Sequence, residues 1–194
     1  MGNQVVNRQI GDRVCGLVAG GGYAEFAKVH SEHLVPLPKH YSYQQGAALA
    51  ETYLTAYQCL FDIAKIKPKD KILIHAGASG VGTAAIQLAK ATETEVVVTT
   101  GTEQKVQACL ALGADHAINY KETNFDAWSK EHQFSFDVIL DVVAGDYLTK
   151  NIKVAAMDAR IVILSMLGGR YCQQLDIAKL LLKRINIHAT TLRN

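Results

Sequence analysis

Residues 74–84, I-H-A-G-A-S-G-V-G-T-A, constrain this chain more than any other stretch. They follow directly on K-I-L-I-H-A, a continuous apolar run of the kind that fills a parallel strand buried on both faces. They also open G-V-G-T-A-A-I-Q-L-A-K, an alanine-rich helix. Glycines between such a strand and such a helix bring free backbone amides to a helix N-terminus. Those amides and the helix dipole together form an anion seat. Aligned to G-x-G-x-x-G, Gly77 and Gly82 take the first and third glycine places and Ser79 the second, with Gly80 as a further permissive residue. Gly77 is expected to allow the tight turn and Gly82 the close packing of helix on strand. Ser79 is small enough for a pyrophosphate to approach, and its hydroxyl is able to donate. The alternative is a glycine-rich turn that binds nothing, and context decides between them.

That context is regular. After the first strand and its helix, E-V-V-V-T-T reads as a second strand and E-Q-K-V-Q-A-C-L-A-L as a helix stopped by Gly113. H-A-I-N-Y, F-D-V-I-L-D-V-V, R-I-V-I-L-S-M and I-N-I-H-A-T-T-L supply four more strands, with helices expected over residues 124–132, 146–157 and 176–184. Strands alternating with helices imply right-handed crossovers, hence an α/β fold with a doubly wound six-stranded parallel sheet in the order 3-2-1-4-5-6. Before residue 65 the character differs. G-D-R-V-C-G-L-V and G-Y-A-E-F-A-K-V-H read as short strands joined by a turn at Gly20, Gly21 and Gly22, followed by the extended L-V-P-L-P. From Ser42 the spacing of Leu49, Tyr53, Ala56, Tyr57 and Leu60 is helical, with Ser42 and Gln45 set as a capping box.

The second strand indicates which dinucleotide fits. It ends Thr99-Thr100-Gly101-Thr102, without the carboxylate that would accept ribose hydroxyls and repel a 2′-phosphate. Lys105 lies in the first turn of the next helix, and Tyr120 ends the third strand, where its phenol can meet the same phosphate or cover an adenine. NADPH is therefore favoured over NADH.

With these residues in view, H-A-G-A-S-G-V-G-T-A-A-I-Q-L-A-K resembles the nucleotide loop of the zeta-crystallin-like quinone oxidoreductases, in the medium-chain dehydrogenase/reductase superfamily. G-D-R-V, G-G-G-Y-A-E-F-A-K-V, A-A-L-A-E-T-Y-L-T-A-Y-Q, V-T-T-G-T-E-Q-K, L-G-A-D-H-A-I-N-Y, L-D-V-V-A-G and L-S-M-L-G-G follow in that family's order. The pattern is most similar to the tumour-suppressor-induced branch. The resemblance implies a Rossmann domain over residues 65–194, a connecting helix over 42–64, and a remnant of a β-rich GroES-like catalytic domain over 1–41. A chain truncated at both ends is expected. It further implies that Gly80, Val81 and Gly82 line the pyrophosphate and nicotinamide approach, and that Thr55 sits near the nicotinamide ribose. Thr100, Gly101, Lys105 and Tyr120 would hold the 2′-phosphate. Val143 and Ala144 would contact the cofactor through backbone, and Ser165, Met166 and Leu167 would flank the nicotinamide. Ala144 before Gly145 departs from the family's L-D-x-x-G-G pattern.

Other features narrow the reading by exclusion. A net charge of +2 is too small for a nucleic-acid footprint. No apolar run approaches the ~20 residues that span a bilayer, and residues 1–10 lack a signal's apolar centre, so a cytoplasmic protein is expected. Cys15, Cys59, Cys109 and Cys172 form no C-x-x-C pair, and His30, His33 and His40 lack zinc spacing, so no metal is expected. His75 reads as a hydrogen-bonded core imidazole, and Asp141 as a strand-end carboxylate satisfying local amides. No catalytic residue is identified. The function expected is NADPH-dependent, zinc-independent hydride transfer to quinones or α,β-unsaturated carbonyls, with a homodimer in the full-length protein through the last strand and Arg193. An enoyl-thioester reductase domain and a non-catalytic NADPH-binding module stay open as alternatives.

Overall fold

The computed structural model describes residues 1–192 and forms two compact units, Met1–Leu54 and Thr55–Asn194. Arg193 lies outside the described residues. Among the described residues no helix is long and apolar enough to cross a membrane.

In the first unit, β1 (Val14–Gly16) pairs antiparallel with β2 (Leu34–Pro36), Cys15 opposite Val35. This corrects the expected hairpin, because residues 22–30 form no strand. Their alternation puts Tyr23 with Glu25 on one side and Phe26 with Lys28 on the other, so neither face is apolar enough to bury, and both aromatic rings are exposed. The site opposite β1 goes to L-V-P instead. Pro36 fits there because it ends the strand, and Gly16 fits because a Cβ would come within 2.5 Å of the His33 carbonyl. Helix α1 (Tyr43–Tyr57) begins as its sequence indicates: the Ser42 hydroxyl accepts from the Gln45 amide at 3.1 Å and the Gln45 carbonyl oxygen Oε1 accepts from the Ser42 amide at 2.8 Å. It continues into a π-helical turn, Gln58–Ile63.

The second unit carries the sheet. Its strands are β3 (Lys71–Ile74), β4 (Glu95–Thr100), β5 (His116–Asn119), β6 (Phe136–Asp141), β7 (Ala155–Ile163) and β8 (Asn186–Ala189), ordered β5-β4-β3-β6-β7-β8 and all parallel. This is the doubly wound order read from the sequence. Between them lie α2 (Gly80–Lys90), α3 (Glu103–Ala111), α4 (Phe125–Glu131), α5 (Tyr147–Val154) and α6 (Ile177–Lys183). The pleat divides the strands' apolar residues between two cores. Leu73, Val97, Ile139 and Ile161 share one face with Phe125 of α4 and Ile152 of α5, all buried. Ile72, Val96, Val98 and Leu140 face the other way, the side on which Ala84, Ala85 and Ala89 of α2 are also buried. Alanines there let α2 lie close to the sheet.

The helix expected to reach residue 157 ends at Val154, and β7 begins at once. Ala155, Ala159 and Ile161 fill the core, and a register shift between Phe136 and Val138 accommodates the early start. The Lys183 ammonium fixes the change of direction by donating to the carbonyls of Lys153 at 2.9 Å and Ala155 at 2.7 Å. Because all six strands run one way, Ile74, Thr100, Asn119, Asp141, Ile163 and Ala189 end along one edge. That edge is where an open α/β sheet binds its ligand.

Candidate functional site

Three loops meet this edge near its centre. The first is the glycine turn. The His75 amide donates to Leu140 O at 3.1 Å and the Gly77 amide to Thr99 O at 3.0 Å, tying the turn to strands on either side. The left-handed residue is Ala76, at φ +53°, rather than Gly77. Gly77 is needed for room instead, since a Cβ there would lie 2.5 Å from Val98. Gly82 is needed for the same reason and more strictly. Its Cβ would come within 2.5 Å of Ala76 O and 2.6 Å of Gly77 O, which are backbone atoms that cannot step aside. Ser79 caps α2, its Oγ accepting from the Gly82 amide at 3.1 Å. Among the described residues the Gly80 and Val81 amides have no acceptor, as first-turn amides require outside help. Two unmatched donors and a helix dipole thus point out of the turn.

The second loop joins β4 to α3. Thr100 is buried, and among the described residues its hydroxyl is one of two buried polar side-chain atoms without a partner. The Tyr120 amide donates to Thr100 O at 2.9 Å, and the Tyr120 phenol lies over Gly101, where a Cβ would be 2.5 Å from the hydroxyl oxygen. Thr102 caps α3 by accepting from the Lys105 amide at 3.3 Å. Lys105 is exposed in that first turn, and its ammonium enters no ion pair among the described residues. By contrast Lys90 and Lys153 are held by Asp115 and Asp126.

The third loop follows β6. The Asp141 carboxylate, fully buried, accepts from the amides of Val143 at 2.7 Å and Ala144 at 2.9 Å. Ala144 and Gly145 are both left-handed, at φ +56° and +53°. The Gly168 amide donates to Val143 O at 2.7 Å, and Gly168 has no room for a Cβ beside Val143. Ser165 and Met166 reach an open depression of about 480 Å³ that they share with Ile163, Leu164, Ala189, Thr190 and Thr191. Leu167 is exposed beside them. Thr55 is buried on α1, and one turn on, Gln58 accepts from the Thr190 hydroxyl at 3.3 Å, bringing that helix end to the depression. The structure therefore gathers the sequence-expected residues around one edge.

Beneath the loops runs a buried polar chain that the sequence shows only in part. His75 Nδ1 meets Thr99 Oγ1 at 3.1 Å, His75 Nε2 meets Asn151 Oδ1 at 2.8 Å, and Asn151 Nδ2 donates to Asp141 Oδ2 at 2.8 Å. The carboxylate can only accept, so Asn151 must turn its amide nitrogen toward Asp141 and its oxygen toward His75. His75 Nε2 must then carry a proton. Burial among Phe125 and Tyr147 rings pushes the His75 pKa down, against the opposing pull of Asp141. The ring is therefore neutral, with Nδ1 accepting from Thr99. Asn151 was not foreseen. A polar residue on a helix carries no mark of the strand-end carboxylate it will meet.

This sets a pH dependence. A buried His whose pKa falls on folding binds fewer protons folded than unfolded, so its contribution is present above its ordinary value of about 6.5 and is lost as pH falls below it. Asp115 and Asp126 act lower. Burial raises each, but Lys90 and Lys153 outweigh it and hold both carboxyls below their usual range. Denaturant titrations between about pH 7 and pH 5 are expected to show falling stability in the wild type and a flatter profile in His75→Gln. Identical slopes would refute the neutral imidazole.

Comparison with known proteins agrees with this fold. The zinc-binding dehydrogenase family matches residues 80–194. Mouse (Mus musculus) quinone oxidoreductase is 34% identical over 173 residues, 87% of this chain and 52% of that protein. The chain thus spans about half the length of the curated relatives it matches. Escherichia coli quinone oxidoreductase, solved in complex with NADPH, superposes with a TM-score of 0.86 at 30% identity, covering 97% of this chain and 59% of that one. The CurK enoyl reductase gives 0.85 at 30% identity, covering 99% and 57%. The metal in the family's description finds no donor set among the described residues. Among the described residues no three His, Cys, Asp or Glu side chains gather around a common point.

Proposed function

Because the chain belongs to the zinc-binding dehydrogenase family, we propose that it falls in the zeta-crystallin-like medium-chain branch, binds NADPH and serves an oxidoreductase that reduces quinones or related α,β-unsaturated carbonyls. The observation that carries this reading is the pair of unmatched amides at Gly80 and Val81, set behind Gly82 at the carboxyl end of a buried strand. They suit a pyrophosphate. The orphaned Thr100 hydroxyl, Gly101, Tyr120 and the free ammonium of Lys105 suit an adenosine 2′-phosphate. Val143 and Ala144 offer backbone toward the nicotinamide, with Ser165, Met166 and Leu167 flanking it and Thr55 near its ribose.

When bound, NADPH supplies a hydride. The residues of this chain bind and orient it. A quinone or enone is electron-poor enough to accept hydride without a Lewis acid, and its oxyanion takes a proton from solvent, so the reaction is read as zinc-independent. Residues 42–64 act as a connecting helix between catalytic-domain sequence over 1–41 and the nucleotide domain over 65–194. A cytoplasmic homodimer is part of the same reading. An enoyl thioester is the second acceptor class, supported by the likeness to an enoyl reductase.

Calorimetric titration of the chain with NADPH and NADH is the first test. Lys105→Ala is expected to weaken NADPH by ~1–3 kcal/mol and to leave NADH nearly unchanged. Equal losses for the two coenzymes would rule out the phosphate contact. Where turnover is followed, a quinone and an enoyl thioester are offered in parallel with a chelator present, and activity that vanishes with the chelator contradicts the zinc-independent reading.

A further inference from the structure

We propose that Asn151 and His75 are positioning residues for the coenzyme, acting through Asp141 to hold the loop at residues 143–145 in register with the glycine turn and the Thr100–Gly101 loop. The inference rests on the NADPH reading and goes beyond it, since none of Thr99, His75, Asn151 and Asp141 is itself placed against the coenzyme.

Each of the three members at or just past a strand end lies one or two residues from a different part of the candidate site. His75 immediately precedes Ala76 and the glycine turn, Thr99 precedes Thr100 and Gly101, and Asp141 precedes Val143 and Ala144 by two and three residues. Asn151, from α5, is the bridge between the first two and the third. All four are at most 1% exposed, so bulk water cannot take over a vacated bond.

The loop at 143–145 is the part that needs holding. Ala144 pays a steric cost in the left-handed region, of order 1–2 kcal/mol, and keeps that conformation beside a left-handed Gly145. Asp141 Oδ1 holds both loop amides, but a carboxylate can rotate, and it is Oδ2 bonded to Asn151 that fixes its plane. Asn151 is fixed in turn by His75, and His75 by Thr99. An apolar filling would hold the sheet equally well, as Leu73, Val97 and Ile139 do one step back on the same face. A fully satisfied polar chain adds a unique geometry.

The test uses two ligands. NADPH spans all three loops, whereas adenosine 2′,5′-bisphosphate reaches only the glycine turn and the Thr100–Gly101 loop. In Asn151→Ala, measured where circular dichroism shows the protein folded, the Kd for NADPH is expected to rise ~10-fold and that for adenosine 2′,5′-bisphosphate by no more than ~2-fold. Thr99→Val keeps the volume and removes the hydroxyl, giving ~3-fold in the same sense, and Thr99→Ser restores wild-type binding. This pair decides the matter if Asn151→Ala does not fold. Equal losses for both ligands, no loss for NADPH, or failure of serine to rescue overturns the inference alone. A wild-type chain that binds neither ligand overturns the coenzyme reading, and the inference falls with it.

Discussion

Gly82→Val is expected to abolish measurable NADPH binding and to lower stability by about 3–5 kcal/mol, a loss that few single substitutions reach. The reason is backbone against backbone. A Cβ at this position lies 2.5 Å from one carbonyl oxygen and 2.6 Å from another, so α2 must tilt away from the turn and carry the Gly80 and Val81 amides with it. Gly101→Ala is the control for stability. Its Cβ would lie equally close to the Tyr120 hydroxyl, but that is the tip of a side chain 46% exposed, which can swing aside. Calorimetry of Gly82→Val with NADPH and thermal melts of both variants decide the point. If Gly82→Val binds NADPH as the wild type does, the anion seat lies elsewhere.

The second large effect concerns Asp141. Asp141→Ala leaves three donors, the amides of Val143 and Ala144 and the Asn151 side-chain nitrogen, without their buried acceptor. At ~1–3 kcal/mol for each unsatisfied group, partly relieved by relaxation, a loss on the order of 3–5 kcal/mol follows. That is a large share of the 5–15 kcal/mol typical of a folded domain. Asp141→Asn should be far milder, about 1 kcal/mol. Asparagine still accepts from the loop amides, and its nitrogen can be met if Asn151 turns over and His75 moves its proton from Nε2 to Nδ1, toward Thr99. Denaturant melts rank the two variants, and nitrogen NMR of the His75 ring reads the tautomer. Equal destabilisation by alanine and asparagine, or an unchanged tautomer in Asp141→Asn, would contradict the bonded chain as drawn.

Much of this was legible beforehand because the determining physics is local. Continuous apolar runs such as K-I-L-I fit a parallel strand buried on both faces. Alternation with helices fixes the sheet order through handed crossovers. Ser42 with Gln45, and Gly113 at φ +105° after α3, announce helix ends through bonds and dihedrals within a few residues. The glycine turn is legible for the same reason, since Gly82 meets backbone only five and six residues away.

What escaped the sequence depends on partners distant in the chain. Residues 22–30 have strand-forming composition, yet a strand exists only where another offers its edge, and β1 is matched by Leu34–Pro36. Residues 155–157 suit a helix until Phe136 supplies a neighbouring strand to pair with Ala155. Ala76, not Gly77, bears the left-handed backbone because the strands on either side dictate where the turn bends. Asn151 is the plainest case. The sequence by itself determined the sheet, its order and the glycine seat at its edge, because those follow from periodicity and near-neighbour bonding. Only the tertiary structure decided that an asparagine on α5 would join a histidine just past β3 to an aspartate ending β6. Hydrogen bonds between buried groups depend on positions in space to a few tenths of an ångström, and no spacing along the chain encodes that.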